Sequence, residues 1–414
     1  MSEPYDATPE WRARRILDRL DTLFAIGQAA GTNRIGLGPG EQRAFELVAG
    51  WMEQAGLAVA FDAAGNVTGR VLGSEPDLPE VWSGSHLDTP PDGGRFDGAL
   101  GTLLALDAAE AMRADRPPRR TVAALAFRLE EGPRFGVGCF GSRALCGVLE
   151  PEEGDLLDVD GVSLADAFAA LGYGELPAAG WLEPAPACFV EAHIEQGPAL
   201  AAAGVPLGIV TSIAAMAGFE LTFGGRRGHA GTVPMALRSD ALGAAAQLVV
   251  AAHDIARSLP GAVATIGRLT VAPGATNTIP NRCVLFADLR APDDERLDAL
   301  VDGVLAAATD AAAGSDCTVL VEQRWRSEAE AMHPLPRAAL ARAVTALGIE
   351  LAELPSGAGH DAQILAAAGV PSAMLFVRSD AGGVSHAPEE HTGADAVVLA
   401  VRALEAALRE LAAA

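Results

Sequence analysis

The sequence contains no lysine: all 30 residues in the combined count of lysine and arginine are arginines. A P-loop nucleotide site needs a lysine, and pyridoxal enzymes and Schiff-base aldolases need a lysine amine. These three classes of protein are therefore excluded. The 54 acidic residues bring the formal net charge to −24, which argues against a nucleic-acid partner or an anionic membrane surface.

Cysteines and long apolar runs are also scarce. The five cysteines include no CxxC pair, and an odd number cannot all pair within one chain, so we predict free thiols in a reducing compartment. The stretch MSEPYDATPEWRARR lacks the apolar segment of a signal peptide. No uncharged apolar run approaches the roughly 18 residues of a membrane span. We therefore expect a soluble, cytoplasmic protein.

The composition and the order of segments predict an α/β fold. Half of the 414 residues are apolar and only 5% are aromatic, which is typical of a soluble domain with a core of Ala, Val and Leu. Strands near 57–62, 67–72, 80–86, 121–129 and 187–193 alternate with helices near 98–114 and 138–149. This alternation predicts a mixed or parallel sheet. The acidic, Pro- and Gly-rich stretch 151–186 is interpreted as a surface excursion.

The pattern changes from about residue 213. Strands predicted near 218–225, 262–271, 281–290 and 316–325 are interrupted by helices near 234–258 and 293–313. The order β-α-β-β-α-β matches the split βαβ (ferredoxin-like) unit, which forms a compact domain alone. We therefore predict a discontinuous main domain, 1–212 and 330–414, with a smaller domain, 213–329, inserted in it. Ligand clefts tend to lie at such junctions.

Histidines and acids fall at the ends of the predicted strands. His86 ends an apolar strand, and Asp88 lies two residues on, so the two side chains share a face and Asp88 can orient the imidazole. Asp97 follows a Pro/Gly loop just before a helix, where a carboxylate could bridge two cations. The pair Glu130–Glu131 ends the next strand. Two adjacent buried acids are costly unless a cation compensates them.

Two further histidines complete this set. His193 ends the apolar strand ACFVEAHIEQG, and His386 lies in the Gly/Ser-rich loop GGVSHAPEE. Three histidines and three carboxylates, nearly all at strand ends, suggest a two-metal hydrolytic centre. Such mixed ligands accept zinc, manganese, nickel or cobalt. His253, within a helical pattern, and His333, before a proline, are interpreted as structural.

Two other motifs suggest different chemistry. Residues 136–141 fit GxGxxG before a helix, but EEGPRF separates them from the preceding strand, so the tight turn of a dinucleotide-binding fold is not expected. Cys139 or Cys146 could act as a nucleophile, yet no histidine lies near either in the sequence. We interpret both as small buried thiols.

Seven motifs occur in order from about residue 15 to the carboxyl terminus. They are GSHLDT with GGRFDGALG, FRLEEGPRFGVGCFGSRALCG, EAHIEQGPAL, GHAGTVPMALRSDAL, PGATNTIPNRCVLFADLR, SGAGHDA and GVSHAPEE. Together they resemble the hydantoinase/carbamoylase branch of the M20 metallopeptidase-like superfamily, which includes N-carbamoyl-L-amino acid hydrolases, β-ureidopropionase and allantoate amidohydrolases. The resemblance implies a di-metal catalytic domain with an inserted lid that also dimerises.

The resemblance also implies roles for the strand-end residues. The implied ligands are His86 and His193 for one metal, Glu131 and His386 for the other, and Asp97 as the bridge between them. Glu130 would be the general base. The short His86–Asp97 spacing and the histidine at position 193 favour this branch over the M20 aminoacylases and dipeptidases.

Substrate contacts are implied in the same way. Arg290 would clamp a substrate carboxylate with its planar guanidinium group, and Asn277 would bond near the same carboxylate. Gln196 would touch the ureido group, and His229 would reach the active site of the partner subunit and stabilise the oxyanion. Gly359 would let the backbone approach the ligand.

Some positions in these motifs carry no implied role or depart from the pattern. His360 and Asp361 in SGAGHDA are interpreted as local structure. Val233 stands where a second Thr is usual, His391 where an aromatic is frequent, and Arg378 where Pro is common. None is an implied metal ligand, but the last two could reshape the pocket and so leave substrate choice open.

The predicted function is hydrolysis of N-carbamoyl-L-α-amino acids with two divalent metal ions per subunit. The ions and Arg290 would leave a positive pocket for a small anionic ureido substrate, even in an acidic protein. The expected assembly is a homodimer through the inserted domain. The alternatives are an allantoate amidohydrolase or β-ureidopropionase on the same site, a dipeptidase, and a non-catalytic binder of amino-acid derivatives.

Overall fold

A computed structural model describes residues 8–28, 31–115, 117–177 and 184–414. The helices are α1 Pro9–Phe24, α2 Pro39–Gln54, α3 Ala99–Ala114, α4 Phe140–Leu145, α5 Leu164–Ala170, α6 Ala199–Ala203, α7 Ala241–Ser258, α8 Asp294–Gly314, α9 Pro334–Ala346, α10 Asp361–Ala367 and α11 Ala394–Ala413, with 3-10 turns at Pro151–Asp155 and Met235–Leu237. The strands are β1 Ala58–Phe61, β2 Val67–Val71, β3 Val81–His86, β4 Val122–Phe127, β5 Cys188–Ile194, β6 Leu207–Ile213, β7 Ala215–Gly224, β8 Gly228–His229, β9 Val263–Ala272, β10 Thr278–Ile279, β11 Arg282–Ala291, β12 Thr318–Ser327, β13 Glu330–Ala331, β14 Ala352–Ser356 and β15 Ser372–Val377. Among the helices of these residues, none combines the length and the apolar character that crossing a bilayer requires.

The chain forms two compact units. The larger comprises Met1–Thr211, Ala331–Leu354 and His360–Ala414, and the smaller comprises Ser212–Glu330 and Pro355–Gly359. The main and inserted domains predicted from the sequence differ from these units at 355–359, which belongs to the smaller one. Two hydrogen bonds hold this segment there: the N–H of Ala214 donates to the carbonyl of Ser356 (2.9 Å), and Arg290 donates to the carbonyl of Gly357 (2.9 Å).

The larger unit is built on a mixed sheet with the order β1-β2-β4-β3-β5-β15-β6, and β13 and β14 join at the β6 edge. The four central strands β4, β3, β5 and β15 are parallel, whereas β1, β2 and β6 pair antiparallel with their neighbours. The predicted α/β class with a mixed or parallel sheet is therefore confirmed. Strands β3, β4 and β5 are buried along their whole length, as expected for parallel strands covered on both faces.

Helices α3 and α11 pack on this sheet and on each other, and α1 packs on both of them. The apolar stripe of α1 is buried: Ile16, Leu20 and Leu23 are 0% exposed, because residues three and four apart share one helix face. Arg12 on the same helix donates to the carboxylate of Asp107 in α3. The core therefore fixes the framework that carries the strand ends.

The smaller unit contains an antiparallel sheet with the order β12-β7-β11-β9, covered by α7 and α8. Alternate residues of its central strands face these helices, so that Leu221 and Leu285 are 0% exposed. Leu320 aligns with Thr222 and Val284 on the opposite face and is 60% exposed. The sequence order β7-α7-β9-β11-α8-β12 is the split βαβ arrangement.

The stretch 151–186 was predicted to be a surface excursion, and within the described residues this is wrong in part. Leu164 and Phe168 of α5 are 0% exposed, and Phe168 lies 5.6 Å from Phe140, centroid to centroid. Apolar side chains four residues apart on a helix form one face, and that face packs into a small core of its own. Residues 178–183 of the stretch lie outside the described residues.

Candidate metal centre

The predicted strand-end residues meet at the carboxyl edge of the parallel strands in the larger unit. His86 is the last residue of β3, and His193 is next to last in β5. Glu130 and Glu131 follow β4, and His386 follows β15. Because parallel strands end at the same edge of a sheet, residues far apart in the sequence come together there.

Side chains hold four consecutive backbone amides at the end of β4. The N–H of Arg128 donates to Asn66 (3.0 Å), and that of Leu129 donates to the buried carboxylate of Glu41 (2.8 Å). The N–H groups of Glu130 and Glu131 donate to the two oxygens of Asp88, each at 3.0 Å.

These bonds also explain how a strained turn is held. Leu129 has a φ of 45°, a value that costs energy for a residue other than glycine. The four bonds fix this conformation, and the turn places the two adjacent glutamates at the edge of the sheet.

One group of potential ligands comprises His86, Asp97 and His193, which are all buried. Asp97 Oδ1 lies 3.1 Å from His193 Nε2 and 3.5 Å from His86 Nε2. The Nδ1 of His193 lies 2.9 Å from the carbonyl of Ile194, so Nε2 is the nitrogen that faces the centre. Gly98 makes this arrangement possible, since a Cβ there would lie 2.4 Å from the His86 ring.

A second group comprises Asp97, Glu131 and His386. The other oxygen of Asp97, Oδ2, lies 3.2 Å from His386 Nε2, which is also 3.2 Å from Glu131 Oε1. Asp97 therefore presents one oxygen to each group. Gln196 lies at the same place and donates to Asp97 Oδ2 (2.9 Å).

Asp88 lies beside His86, where the two-residue spacing predicted it, and it has two further partners. The Nδ1 of His86 lies 3.2 Å from the backbone carbonyl of Asp88 and 3.4 Å from its carboxylate. The carboxylate oxygens also accept the backbone N–H groups of Glu130 and Glu131. These two hydrogen bonds could not be read from a two-residue spacing.

The residues present fit a divalent cation. His193 Nε2 is buried and forms no hydrogen bond, although Asp97 Oδ1 lies 3.1 Å from it, as for two ligands that point at a common ion. Burial alone would raise the pKa of Asp97, but the three histidines lower it well below its usual value. Asp97 and Glu131 in turn raise the pKa of His386 to about 11. The cluster thus strongly favours positive charge, which divalent ions bound by imidazole and carboxylate supply.

Glu130 lies beside the two ligand groups. Its Oε2 is 3.9 Å from His86 Nε2, and its side chain is 11% exposed. Burial raises the pKa of Glu130 well above its usual value, the charges of Glu131 and Asp361 raise it further, and His86 opposes them. A carboxylate whose proton affinity is raised in this way suits a general base.

Glu390 belongs to this centre and was not singled out from the sequence. Its Oε1 accepts the backbone N–H groups of Phe96 (2.5 Å) and Asp97 (3.0 Å), and its Oε2 accepts the Ser385 hydroxyl (2.8 Å). Ser385 Oγ also lies 3.1 Å from Asp97 Oδ2. Glu390 therefore ties the loop that carries Asp97 to the loop that carries His386. The only signal was its place in GVSHAPEE, because 293 residues separate it from Asp97.

Replacing Glu390 with glutamine is expected to weaken metal binding by about 10–100-fold, the usual effect of losing an outer hydrogen-bond partner of a metal ligand. The amide turns one acceptor into a donor and so cannot hold both loops. Competition with a coloured chelator measures the affinity. The matched control is Glu389→Gln, at the exposed neighbouring position, which should bind metal like the wild type. Equal affinity of both variants would contradict this role.

The remaining implied substrate residues, apart from Gln196, belong to the smaller unit. His229 in β8 pairs with Thr278 in β10, and the neighbouring Ala230 N–H donates to the carbonyl of Asn277 (2.9 Å). His229 and Asn277 thus lie side by side. Gly359 lies in the segment Pro355–Gly359 of the same unit.

Arg290, near the end of β11, has a partner that the sequence reasoning missed. Its Nε and Nη2 donate to the two carboxylate oxygens of Asp288 (2.8 and 2.9 Å). Its Nη1 donates to the carbonyl of Gly357. The motif ADLR carries the signal, because residues two apart on a strand share a face. Asp288 therefore fixes the plane of the guanidinium group.

Two positions that depart from the family pattern meet at one carboxylate of the larger unit. Arg378 Nε donates to Asp380 Oδ1 (3.0 Å), and His391 Nδ1 lies 3.1 Å from Asp380 Oδ2. The two departures are thus parts of one polar cluster. Val233, the third, hydrogen-bonds through its carbonyl to Arg238 within the smaller unit.

His360 and Asp361 both lie against the metal centre. The ring of His360 is 4.5 Å from that of His193, and His360, His193 and Glu191 form a further group of potential ligand atoms. Asp361 accepts a hydrogen bond from Ser142 (2.5 Å), and burial raises its pKa to about 8. These contacts place both residues in the packing behind His193.

The rival motifs find no support in the structure. Burial raises the pKa of Cys139 well above its usual value and that of Cys146 to about 12. Neither is therefore a thiolate nucleophile at neutral pH. Residues 136–139 lie in the connection between β4 and α4, and residues 140–141 already belong to α4. Because the whole connection 128–139 separates the strand from the helix, the tight strand-to-helix turn of a dinucleotide site is absent from this described segment.

The sequence of this chain matches a known family of peptidases. The family model for peptidase family M20/M25/M40 matches residues 82–410, and the chain belongs to this family. The family assignment made from the seven motifs is thereby confirmed.

The chain is also similar over most of its length to individual members of known function and structure. The chain is 38% identical to an N-carbamoyl-L-amino acid amidohydrolase of Geobacillus stearothermophilus, over 92% of this chain and 93% of that one. It is 33% identical to an allantoate deiminase of Arabidopsis thaliana, over 90% and 77%. A crystal structure of a hydantoinase/carbamoylase family amidase from Burkholderia vietnamiensis superposes with a TM-score of 0.88 at 32% identity, covering 97% of this chain and 98% of that one.

Proposed function

We propose that the protein is a metal-dependent amidohydrolase that converts N-carbamoyl-L-α-amino acids and water into the amino acid, ammonia and carbon dioxide. The observation that carries this proposal is Asp97, which presents one carboxylate oxygen to each of two ligand groups beside a buried glutamate. The similarity to N-carbamoyl-L-amino acid amidohydrolases, at 32–38% identity in three of them, supports the substrate class.

The ligand groups would hold two divalent ions, chosen from zinc, manganese, nickel and cobalt. When bound, such ions polarise a carbonyl and lower the pKa of water. Glu130 accepts a proton from the attacking water and returns it to the departing nitrogen. The turn at Leu129, held by Glu41 and Asp88, keeps the Glu130 carboxylate at the edge of the sheet while the proton moves.

In this proposal the smaller unit supplies all the substrate contacts except that of Gln196, which belongs to the larger unit. Arg290 binds the substrate carboxylate, and Asn277 bonds near it. Gln196 contacts the ureido group, His229 stabilises the oxyanion in the active site of the partner subunit, and Gly359 lets the backbone approach the ligand. Hydrogen-bond donors placed where negative charge develops in the transition state usually make the largest single contribution to the rate of acyl transfer.

Replacing Arg290 with lysine is expected to raise the KM for N-carbamoyl amino acids by roughly 10–100-fold, the equivalent of one lost hydrogen bond to a charged group. Lysine keeps the charge but loses the planar fork that Asp288 orients. Initial rates of ammonia release measure KM and kcat. Arg282→Lys, at an exposed position on the same strand, is the control and should leave KM unchanged. An unchanged KM in Arg290→Lys would rule out the clamp.

The proposed assembly is a homodimer through the smaller unit. Leu320, which is 60% exposed on the face opposite α7 and α8, is an apolar side chain that such an interface would bury. Analytical ultracentrifugation measures the mass directly. A monomer at assay concentration would exclude the role proposed for His229.

The substrate is decided by one assay. Purified enzyme, freed of metal and reloaded with each of the four ions, is incubated with N-carbamoyl-L-amino acids, N-carbamoyl-β-alanine, allantoate and unblocked dipeptides. Ammonia release, or amino-acid release for the dipeptides, is measured. We expect the highest kcat/KM with an N-carbamoyl-L-α-amino acid. A higher value with allantoate would favour the alternative that the similarity to allantoate deiminases supports. No hydrolysis of any compound would indicate a binding protein.

A further inference from the structure

A cavity of about 380 Å³ lies beside the metal centre within the larger unit. Glu131, one of the proposed metal ligands, is part of its wall, and so is Thr89, next to Asp88. Its apolar wall is formed by Ile35, Pro39, Pro91, Pro133 and Val159. A group bound at the metal centre could therefore extend into this cavity along the Glu131 side.

Val159 stands out among these residues because its side chain is 99% exposed. An isolated exposed valine needs no explanation, but the turn that carries this one is firmly built. The N–H groups of Asp160 and Val162 both donate to Asp158 Oδ1 (3.0 Å each). The exposed apolar tip is thus held in place and available to a ligand.

The same turn is anchored to the opposite wall of the cavity. Arg134 donates through Nε to Asp158 Oδ2 (3.1 Å) and through Nη1 to the carbonyl of Gly36 (2.9 Å). This bridge fixes the width of the cavity and neutralises the charge of Arg134. Asp160, the remaining acid of the wall apart from Glu131, is exposed to solvent. The fixed walls are therefore mainly apolar.

We propose that this cavity is the subsite for the substrate's amino-acid side chain and that it selects apolar side chains of medium to large size. The inference rests on the proposed function, since the carbon that bears the side chain is two bonds from the ureido carbon. A preformed cavity with apolar walls binds an apolar group without paying to order its own walls. Allantoate carries a second, polar ureido group at the same position, which such walls cannot hydrogen-bond.

The test compares kcat/KM for the N-carbamoyl derivatives of glycine, methionine and phenylalanine, and for allantoate. The wild type is expected to prefer methionine and phenylalanine. Val159→Trp adds bulk at the solvent-open edge of the cavity and should lower kcat/KM for these two by roughly tenfold or more, with little change for glycine. Val159→Asp, which makes the tip polar, should lower the same two values. Leu72→Trp, at another exposed position (62%) of the larger unit, is the matched control and should change none.

The outcomes separate this inference from the proposed function. If the wild type hydrolyses N-carbamoyl amino acids but Val159→Trp affects glycine and phenylalanine derivatives equally, the cavity is not the side-chain subsite. The subsite inference would also be overturned if the wild-type enzyme preferred allantoate, or an N-carbamoyl amino acid with a cationic side chain. If the wild type releases no ammonia from any N-carbamoyl compound, the proposed function fails and the inference fails with it.

Discussion

Replacing Glu130 with glutamine is expected to lower kcat by roughly 10²–10⁴-fold, the usual contribution of a general base, while the bound metal stays at the wild-type level. Glutamine has almost the same shape, and its backbone N–H can still donate to Asp88. It cannot accept a proton from water. Steady-state ammonia release gives kcat, and elemental mass spectrometry gives the metal content of the same preparation.

The adjacent acid provides the matched comparison. Glu131→Gln removes a proposed ligand and is expected to lose bound metal, because an amide oxygen is a weaker ligand than a carboxylate. The two variants therefore differ by one position but in opposite respects: one keeps metal and loses turnover, and the other loses metal. Near-wild-type turnover in Glu130→Gln would refute its role as base, and loss of metal in that variant would make it a ligand instead.

Replacing Asp97 with asparagine is expected to reduce bound metal further than the loss of Glu131, and activity to background. Asp97 offers one oxygen to His86 and His193 and the other to the Glu131–His386 pair. Asparagine keeps a single acceptor and turns an N–H donor toward one of these groups. The negative charge that Asp97 supplies to both ligand groups is therefore lost. In addition, the group that faces the amide nitrogen loses an oxygen ligand. Metal content and ammonia release are measured as for Glu130.

Asp107→Asn is the control for the loss of any buried aspartate. Asp107 is 1% exposed, like Asp97, and its carboxylate is paired with Arg12 (2.6 Å) and Arg15 (3.2 Å) between helices of the core. Replacing Asp107 should lower the melting temperature, since Arg12 and Arg15 each lose their ion pair with its carboxylate. It should leave metal content unchanged. If Asp97→Asn keeps its metal, or if Asp107→Asn loses as much, Asp97 does not bridge two ions.

The sequence was informative about the centre because its residues lie at strand ends. The apolar runs before His86 and His193, and the adjacent pair Glu130–Glu131 after the next run, mark three neighbouring strands. Parallel strands bring such ends to one edge. Asp97 and His386 lie in loops that no periodicity defines; their residue types and loop positions made them candidates, and the resemblance then implied their roles. The structure brings these six residues together, and their individual roles remain predictions.

The supporting residues could not be predicted in the same way. Glu41 accepts the N–H of Leu129 from a position 88 residues away, and Glu390 accepts that of Asp97 from 293 residues away. The two backbone amides that bond to Asp88 were missed, because spacing shows which side chains share a face but not which backbone amides are left without a bond. The burial of α5 was missed for a similar reason, since its acidic surroundings hid a single apolar face.

The sequence alone determined which chemistry is available: no lysine, a set of histidines and carboxylates at strand ends, and an apolar pattern that specifies an α/β sheet. These follow from residue type and local periodicity. The tertiary structure alone decided which atoms meet. It directs the two oxygens of Asp97 to different partners, aligns Arg290 with Asp288, and forms a cavity, open to solvent at Val159, beside the loops before α2 and after β4. Contacts of this kind join loops that are distant along the chain, and only the packing of the elements between them sets their distance.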